Sequence, residues 1–195
     1  MKVNLLILIS LLVLSGCSKS DWHEDYEVLK LRYNGKYELL SSYSDEAVDL
    51  NMDGVYSTYL PAENPEIERA ALIIKIIPDD RTTESGKHIF DEMWPDAHVV
   101  HRGEEVSDTA RHQDSYFIMY AMKLHGCRCQ FVDNNATILL DEPYLEESSA
   151  LISFDSIDVD ENGIITLVTR RKLYTNDGWV ETQITSKYKR YTTHT

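Results

Sequence analysis

The chain reads as a single all-β domain, an antiparallel β-barrel or barrel-like meander with little helix. Three observations carry that expectation. Short segments rich in β-branched and aromatic residues recur between residues 36 and 191. Clusters of Asn, Asp, Gly and Pro separate them. Helical periodicity is scarce, and there is no 20–50-residue repeat, heptad pattern or low-complexity tract. Roughly seven to nine antiparallel strands in one domain must close or stack to hide their edges.

The first element is not part of the domain. Met1 and Lys2 precede an uncharged apolar run over residues 5–14, which ends in Leu14-Ser15-Gly16-Cys17. A basic start, an apolar middle and small residues before a cysteine make an export signal. The run is too short to cross a bilayer, which takes about 20 residues. Leu-Ser-Gly-Cys resembles the lipobox of bacterial lipoproteins. That resemblance implies cleavage after residue 16 and acylation of Cys17, which would hold the protein in a bacterial cell-envelope membrane, the outer membrane first, facing the periplasm or the surface. Residues 17–28 are polar and acidic beyond the cysteine and read as a linker, leaving 29–195 as the domain.

Strands are expected in order at 36–43, 69–77, 115–124, 136–140 and 150–159. In the first, Tyr37, Leu39, Ser41 and Tyr43 share one side. Asp160-Glu161-Asn162-Gly163 is a turn, because Asn and Gly tolerate positive φ. A strand over 164–174, the turn Asn176-Asp177-Gly178 and a strand over 179–191 complete a meander. In its last member Val180, Thr182, Ile184, Ser186 and Tyr188 face one way, while Glu181, Gln183, Thr185 and Lys187 form a wet face. Two helical turns are expected. One falls in 61–69, with Asn64 as cap and Pro65 at its first position, and the other in 142–149. Residues 79–87 and 101–114 read as loops.

Asn34-Gly35-Lys36-Tyr37-Glu38-Leu39 resembles the Gly-x-Trp motif that opens lipocalin-type barrels, with Tyr37 in the Trp position. Residues 47–58, with Asp49-Leu50-Asn51-Met52-Asp53-Gly54 at their centre, resemble a stretch of lipocalin-like bacterial lipoproteins of unknown function. The resemblance implies a small barrel with an interior, and neither a reaction nor a particular ligand.

Four constellations bear on chemistry. Asp49, Asn51 and Asp53, followed by Gly54 and the carbonyl of Val55, match the first half of a calcium loop, but Leu60 stands where a bidentate Glu belongs. A self-capped Asx loop and a weak calcium site both fit, so calcium is the only cofactor considered. His125, Cys127 and Cys129 share one face of an extended strand. Buried apolar cysteines, a strained labile disulfide and a soft-metal site all satisfy that spacing. His98 and His101 fall on opposite faces of an extended segment, and His112 follows. Tyr37, Leu39, Tyr116, Ile118, Tyr120, Ile184 and Tyr188 are candidates to line a barrel interior, and equally to fill it.

Charge narrows the partners. Only Lys2 is charged before Cys17, so the 19 basic residues become 18 against 33 acidic ones, a net of −15. Such a surface repels phosphate backbones and argues against nucleic acid. No Gly-x-Ser-x-Gly, His-Glu-x-x-His or Walker sequence is present. The expectation is a non-enzymatic envelope lipoprotein, either holding a small apolar or glycan ligand in its barrel or docking an envelope protein. A scaffold protein stabilised by calcium at the Asp49 loop and an uncharacterised hydrolase are the remaining alternatives.

Overall fold

The computed structural model describes residues 21–78, 87–101, 104–105, 116–133, 136–141 and 152–195. Cys17, His112 and the helical turn expected at 142–149 lie outside them. The fold is antiparallel β. Strands β1 (Gly35–Val48), β2 (Ser57–Tyr59), β3 (Ala71–Lys75), β4 (His88–His101), β5 (Glu104–Glu105), β6 (Tyr116–Val132), β7 (Thr137–Leu140), β8 (Ile152–Val159), β9 (Ile165–Thr175) and β10 (Gly178–Thr192) form one sheet. The spatial order β7-β6-β4-β3-β1-β10-β9-β8 is an up-and-down meander that curls into a nearly closed barrel, with β7 and β8 as its two edges. The short β2 and β5 pair only with β1 and β4.

The last strand behaves as its alternation requires. Thr182, Ile184, Ser186 and Tyr188 are buried, and Glu181 and Lys187 are exposed. Strand β1 does not keep one alternation. A bulge between Leu39 and Ser41 inserts a residue, so the inward side passes from Tyr37 to Ser42 and Ser44, and Tyr43 turns outward. Ser42 Oγ then meets Ser186 Oγ at 2.9 Å inside the barrel.

Helix α1 (Asp21–Tyr33) occupies most of the expected linker. Its polar composition hides a sparse stripe: Tyr26 packs on the core, and Leu29 and Tyr33 are buried, at i, i+3 and i+7. The helix closes one end of the barrel. Tyr37 Oη donates to the Tyr33 carbonyl at 2.6 Å. Arg190 Nη1 donates to the carbonyls of Leu31 and Arg32, both at 2.9 Å. A cation there satisfies carbonyls left open at a helix C-terminus and complements its dipole. Gly35 follows at φ 151°, and a Cβ on it would lie 2.2 Å from the Thr192 carbonyl oxygen, so only glycine lets β1 and β10 meet this closely.

Two short helices cross the other end, α2 (Leu60–Glu63) and a 3-10 helix (Pro65–Arg69). The second starts as expected: Asn64 Oδ1 accepts from Glu66 N at 3.1 Å, with Pro65 at the first position. Leu60 and Ile67 bury their side chains below. Among the described residues, no helix is long and apolar enough to cross a membrane.

Candidate functional site

The interior is built in layers by inward positions of successive strands. On β4 these are His88, Phe90, Glu92 and Trp94, all buried. They pair in register with β6: His88 with Cys129, Phe90 with Cys127, Glu92 with His125. On β9 the inward set is Ile165, Leu167, Thr169, Arg171 and Leu173. Glu92 and Arg171 thus enter the interior from opposite walls.

Glu92 and Arg171 meet there as a fully buried ion pair through Arg171 Nη2 and Glu92 Oε2. Tyr188 Oη donates to the second oxygen, Glu92 Oε1, at 2.7 Å. Arg171 Nε donates to Thr169 Oγ1 at 3.2 Å, and the guanidinium lies over the Trp94 ring, 4.2 Å from its centroid. Among the described residues its Nη1 has no hydrogen-bond partner. Burial, and after it the Glu92 charge, push the Tyr188 hydroxyl well above its ordinary pKa, so it stays a proton donor. The constellation contains an acid, a base and a hydroxyl, yet all three are shut off from solvent. Its chemistry is structural: each charge is satisfied only when β4, β9 and β10 close around it.

Sequence reading missed Glu92, Trp94 and Arg171. The signal was present in the Arg170-Arg171 doublet, which puts one cation on each face of a strand whose other inward residues are apolar. An inward cation in such a strand demands an inward anion.

Of the proposed lining residues, Tyr37, Ile184 and Tyr188 are buried in the barrel, and Leu39 packs against its core. Ile118 and Tyr120 stand on the opposite pleat face of β6 from Cys127 and Cys129, because the β4–β6 ladder keeps one register throughout. They are half-buried all the same, while their neighbours Phe117 and Met119 are exposed. The Tyr116 side chain lies outside the described residues. Tyr120 turns instead to a cleft shared with Trp94, Pro95, Asn64, Ile67 and Leu173. The cleft holds about 10 Å³, at most the room for one water. Burial pushes the Tyr120 hydroxyl up to about 12. Among the described residues, Trp94, Tyr33, Tyr37, Tyr174, Tyr188 and Phe90 are the largest wholly buried side chains.

His125, Cys127 and Cys129 do share one buried face. They divide between two environments. His125 Nε2 lies 3.0 Å from Asp96 Oδ2, without the alignment of a hydrogen bond. The cysteines are free thiols in the apolar layer beside Phe90. Burial pushes Cys127 up to about 12 and Cys129 higher still, which keeps both protonated and unreactive. His98 is half-buried on β4, and the His101 side chain lies outside the described residues.

The Asp49 loop closes on itself. Asp49 is buried, its Oδ1 accepting from Asp53 N at 3.1 Å and its Oδ2 from Gly54 N at 3.0 Å. Asn51 Oδ1 accepts from Asp53 N at 3.0 Å, and Asp53 Oδ1 from Val55 N at 2.7 Å. Glu63 Oε2 accepts from Leu50 N at 3.1 Å, so α2 is fastened to the same loop. Burial, with Asp49 and Asp53 nearby, raises the Glu63 pKa. Among the described residues, no three His, Cys, Asp or Glu side chains are grouped to hold a metal ion. The expected turn at 160–163 joins β8 to β9, with Gly163 at φ 75° and Asp160 Oδ1 accepting from Asn162 N and Ile164 N.

No family model matches the chain, and no curated protein and no solved structure is significantly similar to it.

Proposed function

We propose that the protein is a non-enzymatic, lipid-anchored envelope lipoprotein of lipocalin-like build, whose barrel is a rigid body for docking an envelope protein. The observation that carries this reading is the set of large side chains buried among the described residues of the barrel. A barrel that encloses a small ligand needs a cavity of hundreds of cubic ångströms, whereas the cleft beside Trp94 offers about 10 Å³. Three of the side chains suited to line such a cavity, Tyr37, Ile184 and Tyr188, are wholly or almost wholly buried. The lipobox-like end of the leader supports acylation at Cys17, and the acidic surface supports a body that stands off nucleic acid. Exposed apolar residues lie at the end away from α1: Val55 and Tyr56 after β1, Phe117 and Met119 at the start of β6. Such residues are common where proteins meet. The Asp49 loop acts in this reading as a self-capped turn that shapes that end, with calcium dispensable.

Native mass spectrometry of protein purified from its own membrane tests the reading. The expected mass is the acylated chain without a retained small molecule. A stoichiometric lipid or glycan beyond the covalent acyl chains would replace docking with ligand carriage. Fatty-acid labelling should disappear in Cys17→Ala, and label retained by that variant would remove the anchor.

A further inference from the structure

We propose that the α1 end of the barrel lies against the bilayer surface, so that the end bearing the Asp49 loop points away from it. This inference rests on acylation of Cys17. Only Ser18, Lys19 and Ser20 separate that cysteine from the first residue of α1. Even fully extended, that stretch places Asp21 within about 14 Å of Cys17. A short tether alone would leave the barrel free to tumble about it, but α1 is not loosely attached. Leu29 and Tyr33 are buried in the barrel end, Tyr37 holds the Tyr33 carbonyl, and Arg190 holds those of Leu31 and Arg32. Helix and barrel therefore move as one piece.

The surface brought to the membrane suits shallow contact. Leu31 is 77% exposed and Val28 48% on α1, and Tyr191 is 57% exposed on the end of β10 beside it. Lys30, Arg32 and Lys189 are exposed around them. Apolar side chains flanked by cations settle at the boundary between headgroups and acyl chains. Acidic residues of the same helix, Asp21, Glu24, Asp25 and Glu27, together with the acidic body, oppose deeper entry. The contact is at headgroup level and is held there by the acyl chains.

The test uses the acylated mature protein in phosphatidylethanolamine–phosphatidylglycerol vesicles that carry a headgroup-linked quencher. A fluorescent non-natural residue is placed at Leu31 in one sample and at Val55 in another, both exposed positions. Strand β1 runs 14 residues between the two ends, about 35 Å along the barrel axis after strand tilt. The Leu31 probe should be quenched at least about threefold more than the Val55 probe, since the quencher acts only near the surface. Equal or reversed quenching in protein shown to be acylated overturns the orientation alone. An N-terminal peptide mass without acyl chains overturns the orientation together with the lipoprotein reading.

Discussion

Two neighbouring layers of the barrel interior are built from the same strands and obey different rules. In one, Phe90 of β4 is flanked in register by Ile74 of β3 and Cys127 of β6, and all three are apolar or nearly so. In the next, one inward step along β4, Glu92 meets Arg171 and Tyr188 beneath the Trp94 ring. The first layer gains from burial in proportion to area and is indifferent to direction. The second is costly to form and tolerates no missing member, because each charge leaves water only against its partner. The lesson is that an interior residue takes its character from what lies across the barrel, not from its own strand.

Removing one member of the polar layer should break the comparison most sharply. Arg171→Met leaves Glu92 buried with Tyr188 alone and should cost about 3–5 kcal/mol in urea unfolding. Adding Glu92→Leu should recover much of that loss, since both charges then go together. A double variant as unstable as the single would mean that the layer works by shape and not by charge. Less is at stake in the Asp49 loop, which is polar but solvated on one side. Asp49→Ala strands the Gly54 amide, while Asp53 N keeps Asn51 Oδ1, and should cost about 1–3 kcal/mol, with the same melting transition in EDTA and in millimolar calcium for the parent protein. A calcium-dependent rise in Tm would make the loop a metal site.

The apolar layer should respond weakly. Cys129→Val nearly conserves volume and should cost less than about 1.5 kcal/mol. Both thiols should stay silent to Ellman's reagent at pH 8 in the folded protein and react only with unfolding, given the upward displacement of their pKa values. The smallest effect concerns Glu63. Its pKa is raised above 4.5 in the fold, so the native state favours the protonated form and its ionisation weakens the fold as pH rises through that raised value. Glu63→Gln should therefore melt higher than the parent at pH 7, with the gap closing as pH falls toward 4.5. A gap that widens on acidification would reverse the sign.

The same contrast explains what the sequence could and could not disclose. Strand β10 was legible because its apolar and small residues alternate without interruption and two Gly-containing turns bracket β9. In β1 the alternation is equally visible, but the bulge after Leu39 reverses it, and nothing at Leu40 or Ser41 announces an extra residue. Strand β4 was not expected as a strand at 88–101. It carries Pro95 in its middle and charges on both faces. Pro95 is tolerated because β4 has by then run past the end of β3, whose last partner is Met93. The charges are explained only by Arg171, 79 residues later. Helix α1 escaped notice because three apolar contacts in a polar segment carry little signal until the barrel end they fill is known.

The account stands on a barrel filled by its own side chains. Titrating the folded protein with an apolar, environment-sensitive dye of the anilinonaphthalene class probes that directly. The filled barrel predicts no saturable rise in fluorescence below the unfolding transition. Saturable binding at one dye per chain, competed by a fatty acid, would reveal an accessible cavity and contradict it.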